Sequence, residues 1–229
     1  MQNSGGAAIH MQTSLQDIKL LCGEIPESNH VPARQPFDQY VCTYLSRVSE
    51  GLMKKVDARG YSDVMTFAFF CRRGNIERLK KEYEINIKGR IGRGLVFHIA
   101  PSNVPVIFAY SLVASLLAGN ASLVKASSKN FVQTRIITEV LNDVLERDEY
   151  SALKPYVTVV TYPREKGDIT DEFSAKCNVR VIWGGDRTIS DVRKSQLPPR
   201  SFDLTFADRY SLAIISIDSI LNSDDQEMK

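Results

Sequence analysis

Between His98 and Asn130 the chain reads HIAPSNVPVIFAYSLVASLLAGNASLVKASSKN, and the apolar stretch from Val104 to Ala118 admits few folds. At about 15 residues it is short of the roughly 20 needed to cross a bilayer, so it is not a membrane span. A surface helix would show a polar face, and this run shows almost none. Pro105 suits a first helical turn and Gly119-Asn120 a C-terminal stop, so the spacing predicts a helix over 105–118 buried on nearly every side.

Short runs rich in β-formers flank it: Gly94–Ala100 before, and Ala121–Ala126, Tyr156–Tyr162, Val179–Trp183, Phe202–Phe206 and Ser211–Ser216 after. Several are apolar throughout, the pattern of strands covered on both faces. A second amphipathic segment, NFVQTRIITEVLNDVLERDE, lies between the second and third, with Phe131, Ile136, Val140 and Leu141 facing inward. Strand, helix, strand, helix, strand predicts an α/β fold: a Rossmann-like parallel sheet with right-handed crossover helices.

Ahead of the sheet the pattern is helical. Tyr40, Val41, Tyr44, Leu45, Val48, Leu52 and Val56 recur at helical spacing, a second helix capped by Ser62 is expected over 62–73, and a third over 75–83. Residues 1–35, interrupted by Pro26 and Pro32, read as a loosely held arm with one short helix near Leu15–Cys22. The expected organisation is thus an arm (1–35), a helical segment packed on the sheet (36–88) and a dinucleotide-binding domain (89–229).

A 43% hydrophobic share is enough to fill a core. A net charge of +2 gives no footprint for nucleic acid, and the basic stretch CRRGNIERLKKEYE alternates with acids as a solvated helix face does. The three histidines and four cysteines are dispersed, without metal-ligand spacing. Unpaired cysteines, and a start lacking the basic and apolar regions of a signal peptide, give a cytoplasmic expectation.

In open parallel sheets ligands lie beyond the carboxyl ends of the strands. Four loops should gather there: APSNVP, KASSKN, TYPREKGD and GGDRT. Asn103 in the first is either a turn or helix-capping residue or an amide donor to a developing oxyanion. Lys125, Ser127, Ser128 and Lys129 in the second are either an ordinary helix approach or a phosphate site. No acid stands in that loop to take a ribose 2′-hydroxyl, so a 2′-phosphate is accommodated and NADPH is the expected nucleotide. Gly184 and Gly185 let a backbone approach a pyrophosphate, or form a plain turn with Asp186 as helix cap. No phosphate-loop signature or nucleophile elbow is present.

Taken in order, HIAPSNVP, SLLAGNASLVKASSKN and VIWGGDRTI resemble the acyl-CoA reductase family, the group containing the fatty-acid reductase of bacterial bioluminescence, within the aldehyde dehydrogenase superfamily. The resemblance covers roughly Ile91 to Ser216. It implies reduction of a cysteine-bound acyl thioester to an aldehyde by NADPH, with acyl-transfer proteins as partners; separately, an unfinished sheet or an uncovered domain face would favour a homo-oligomer. By the same resemblance Asn103 stabilises the oxyanion, and Lys125 contacts the adenosine ribose or its phosphate. Ser128 stands where NAD-preferring relatives carry glutamate, and Gly184–Gly185 form the turn under the phosphates. The catalytic cysteine is expected beyond the segment matching FADRYSLAIISID, where none of Cys22, Cys42, Cys71 and Cys177 lies. The expectation is therefore a cofactor-binding portion without its catalytic domain, inactive alone. Two alternatives stand beside it: a non-catalytic assembly module of the same fold, and a fragment of an NAD-dependent aldehyde dehydrogenase.

Overall fold

The structure, a computed structural model, describes residues 17–26, 31–208, 212–214 and 216. Within them one sheet contains β1 (Lys19–Cys22), β2 (Leu95–Ile99), β3 (Ala121–Lys125), β4 (Val157–Thr161), β5 (Val179–Trp183) and β6 (Phe202–Phe206). The spatial order is β1-β4-β3-β2-β5-β6. All neighbours pair in parallel except β1, which runs antiparallel to β4. The helices are α1 (Gln39–Lys54), α2 (Ser62–Phe70), α3 (Arg73–Ile87), α4 (Ile107–Leu117), α5 (Val132–Leu145), α6 (Gly167–Lys176) and α7 (Asp186–Val192).

The α/β reading of the sequence holds. From β2 the chain steps through α4 to β3 and α5 to β4, then returns through α6 to β5 on the other side of β2. This reversal opens a crevice between the carboxyl ends of β2 and β5. Helices cover both faces, and consecutive residues of β2 report them. The Phe97 ring packs edge-on to Phe173 of α6 at 5.5 Å, and the neighbouring His98 meets Ser111 of α4.

The apolar character of α4 follows from its two coverings. The sheet lies beneath it, and the helical preface lies above, where the Tyr110 ring sits 5.2 Å from Phe67 and 5.1 Å from Phe70 of α2. From Ser111 to Gly119 only Ala114 and Ala118 are exposed. The Gly-Asn stop has a specific cause. Gly119 has φ +87°, and a Cβ there would lie 2.2 Å from the Arg34 carbonyl oxygen. The Arg34 N–H donates to Gly119 O (2.8 Å), and the Gly92 N–H donates to Arg34 O (2.9 Å). Asn120 Oδ1 accepts from the Arg93 N–H (2.6 Å) while its Nδ2 donates to Ser115 O (3.3 Å).

Helix α1 begins where Asp38 Oδ1 accepts from the Tyr40 and Val41 N–H groups (3.0 and 3.2 Å). It buries Val41, Tyr44, Leu45, Val48 and Leu52, and the Tyr44 hydroxyl donates to Leu141 O of α5 (3.1 Å).

Four expectations need correction. Residues 19–22 form strand β1 rather than the short helix expected near 15–22, because their backbone groups find a partner in β4; Leu15 and Gln16 lie outside the described residues. Ser62 does not cap α2: it is already helical, Tyr61 holds the cap position, and no side chain caps it. Val56 lies beyond the end of α1 and is 75% exposed rather than inward. Leu212 to Ile214 and Ser216 adopt no strand, while Ser211 and Ile215 fall outside the described residues. Strand β6 lies at the sheet edge, and its alternating apolar residues Phe202, Leu204 and Phe206 are 47, 47 and 40% exposed.

Candidate cofactor-binding site

Three of the four loops converge at the carboxyl edge. The Ser127 hydroxyl donates to Ser102 O (3.4 Å) and its Oγ accepts from the Lys129 N–H (3.2 Å). Its carbonyl accepts from the Thr161 hydroxyl at the end of β4 (3.3 Å). Ser127 therefore ties the Asn103 loop to the Lys125 loop and both to β4. Ser128 and Lys129 are exposed beside it.

Lys125 ends β3 with its side chain partly buried. Its Nζ lies 4.8 Å from the centre of the Tyr162 ring, and among the described residues it has no ion-pair partner. Burial lowers its pKa below the ordinary lysine value, the Arg164 guanidinium lowers it further, and Glu165 opposes them. Two cations share one locality with hydroxyls; Arg164 Nη2 lies 3.8 Å from Asp191 Oδ2 and Glu165 is near Lys125, which leaves Lys125, in no ion pair, as the cation able to meet an anion. Arg164 and Tyr162 belong to the TYPREKGD segment, whose individual side chains the sequence reading did not single out. Asn103 is exposed on its loop, and it does not cap α4, whose cap position belongs to Val106.

On the other side of the crevice Gly184 and Gly185 follow β5. Gly185, not Asp186, is the cap residue of α7, and a Cβ on it would meet Asp208 Oδ2 at 2.3 Å. The backbone is therefore approachable, but a carboxylate is what approaches it. Below the turn, Trp183 stacks on Phe206 with ring centres 4.0 Å apart and planes 9° from parallel. Trp183 Nε1 donates to Ser111 Oγ (3.1 Å), which lies 2.8 Å from His98 Nδ1. His98 is 1% exposed, its Nε2 has no partner, and burial pulls its pKa down to about 3, so its ring is neutral.

The four thiols are not poised for attack. Burial pushes Cys42 and Cys177 up to about 11, and Cys22 and Cys71 higher still, so each is protonated near neutrality. The Cys177 thiol donates to Ser174 O at 3.3 Å. Among the described residues no group of three or more His, Cys, Asp or Glu side chains could hold a metal, and no helix is long and apolar enough to cross a membrane.

A model of the acyl-CoA reductase (LuxC) family matches residues 28–228. The chain belongs to the acyl-CoA reductase (LuxC) family. No curated protein matches its sequence. Among solved structures it is similar to a Mycobacterium tuberculosis aldehyde dehydrogenase complexed with NAD+ (12% identity, TM-score 0.56, 76% of this chain and 40% of that one). HpcC from Thermus thermophilus is also similar (16% identity, TM-score 0.55, 74% of this chain and 36% of that one). So is aldehyde dehydrogenase 21 from Physcomitrella patens, in complex with the reaction product succinate (15% identity, TM-score 0.51, 75% and 40%). At these identities the likeness is one of fold: the sheet of this LuxC-family chain is that of the aldehyde dehydrogenases. The chain spans 40% or less of the length of each of these three relatives.

Proposed function

We propose that this chain is the NADPH-binding portion of an acyl-CoA reductase, an enzyme that reduces an acyl thioester held on a cysteine to an aldehyde. The observation that carries the reading is Lys125: a half-buried ammonium at a strand end, flanked by Ser127, Ser128 and Arg164, near Glu165 but in no ion pair among the described residues. A ribose 2′-phosphate supplies the missing charge, and no acid stands in the loop to repel it. When bound, NADPH supplies the hydride.

The chain's own residues then divide the work. Lys125 and the Ser127–Ser128 hydroxyls hold the 2′-phosphate, and Gly184–Gly185 let the backbone near the pyrophosphate once the Asp208 carboxylate swings aside. Asn103, on the loop tied to Ser127, donates its amide to the oxyanion of the acyl group. With every described thiol held protonated, the nucleophile is not among these residues, and the chain alone binds nucleotide without turnover. Residues from 89 onward form the cofactor domain, and the preface over 36–88 covers its α4 face.

Titration with NADPH and NADH, in wild type and Lys125→Ala, tests this. The expected result is a preference for NADPH that falls about tenfold or more in the variant, the weight of one charge-assisted phosphate contact. Equal affinity for the two nucleotides, unchanged by the substitution, refutes it.

A further inference from the structure

The two edges of the sheet are built differently. One is closed by β1, which is four residues long, carries Lys19 and pairs irregularly with β4. A short strand, a lysine and a bulge all keep an edge from templating another strand. The other edge has none of these. Strand β6 pairs in unbroken register with β5 alone among the described residues, and FDLTF holds neither lysine nor proline. Its one charge, Asp203, is turned back onto Arg180 and Arg193. Phe202, Leu204 and Phe206 stand exposed on one face, beside their register partners Val179, Val181 and Trp183.

The phase of the hydrogen bonds decides which strand fits this edge. Phe206 O accepts from the Gly184 N–H (3.2 Å), so Phe206 turns its backbone groups toward β5. By the alternation of a strand Phe202 and Leu204 do the same, and Asp203 and Thr205 turn theirs outward. A second β6, antiparallel about a two-fold axis through Leu204, meets this phase. Asp203 then lies opposite Thr205 of the second copy, and the two residues exchange backbone hydrogen bonds. Phe202 lies opposite Phe206, Leu204 opposite Leu204, and the apolar rows stay on one side of the joined sheet. Moving the axis to Asp203 opposes two carboxylates, and moving it to Thr205 sets Asp208 against Phe202. The Leu204 register also brings Arg200, just before β6, level with Asp208, just after it, in the second copy. Both are exposed, and neither has an ion-pair partner among the described residues. Opposite charges thus meet at both ends of the seam.

We infer that the free edge of β6 is an interface with a second copy of this chain, an antiparallel β6–β6 seam that joins two sheets into one. The inference stands apart from the nucleotide reading. One strand per partner is a small contact, so the dimer is a weak one that forms as concentration rises. Sedimentation velocity of the full chain, from about 1 to 100 μM, tests it on wild type, Leu204→Lys, Arg200→Asp, Asp208→Arg and the Arg200→Asp/Asp208→Arg double variant. Leu204→Lys sets two ammonium groups face to face on the axis. The charge reversals fall on exposed side chains and leave the core untouched. The expected result is a concentration-dependent dimer in wild type, weakened about tenfold or more in Leu204→Lys and in each single reversal, and restored in the double variant. Restoration is what a merely structural effect of either residue does not give. A wild type that stays monomeric throughout overturns the interface. So does a dimer that Leu204→Lys leaves intact, which then forms on another surface. Loss in both single reversals without recovery in the double variant overturns the Leu204 register.

Discussion

At the scale of single residues, a carboxylate and an imidazole make opposite demands on their surroundings. Asp208 sits where a pyrophosphate would approach Gly185, so removing its charge relieves a like-charge conflict. Asp208→Asn is expected to tighten NADPH severalfold in the same titration, with a smaller gain at high salt. His98 acts through stability. Its folded pKa of about 3 lies below the ordinary 6.5, so between these values the unfolded chain takes up a proton that the folded chain refuses. Stability is therefore unaffected by this group above pH 6.5 and falls below it by roughly 1.4 kcal/mol per pH unit. Denaturant melts from pH 7 to 4 should show that slope, and His98→Leu should flatten it.

At the scale of elements, the ends of helices are the sensitive points. Asp38→Ala leaves two N–H groups of α1 unsatisfied and should cost about 1 kcal/mol in urea unfolding. Gly119→Ala should cost more. The positive φ alone is worth roughly 1–3 kcal/mol to a side chain, and the Arg34 carbonyl must also move. These elements also show which signals a sequence carries. The strands β2 to β6 and the crossover helices α4 and α5 were legible because each is a run bounded by turn residues. Strand β1 was not, since four residues in KLLC take their conformation from pairing with β4, far along the chain. The exposure of β6 was illegible for a related reason: FDLTF alternates apolar and polar residues as a strand with one covered face does, and its place at the sheet edge leaves the apolar face exposed. In the site, Lys125 and its serines could be read from a strand-end motif. The Trp183–Phe206 stack and the meeting of Arg164 with Lys125 could not, because register and loop packing between distant segments create them.

At the scale of the whole molecule, the edge strand is pinned by one charge cluster. Arg180 of β5 is 1% exposed, and its guanidinium donates to both Asp203 oxygens (2.8 and 3.2 Å), Ser174 Oγ and Ser195 O (both 2.9 Å). Asp203 also receives Arg193 at 3.3 Å. Asp203→Ala strands a buried cation and should cost about 3–5 kcal/mol in global unfolding. If the cluster positions β6, NADPH affinity should fall with stability in that variant, whereas Asp38→Ala should lower stability and leave affinity intact.

The antiparallel pairing of β1 with β4 also has a consequence in time. During synthesis Lys19–Cys22 leaves the ribosome first, and its partner Val157–Thr161 follows only after α1 to α5, β2 and β3 have been made. At translation speeds of several residues per second that delay is on the order of ten seconds. For that interval the leading strand has no native edge to join, and its seam with β4 can close while β5 and β6 are still to be made.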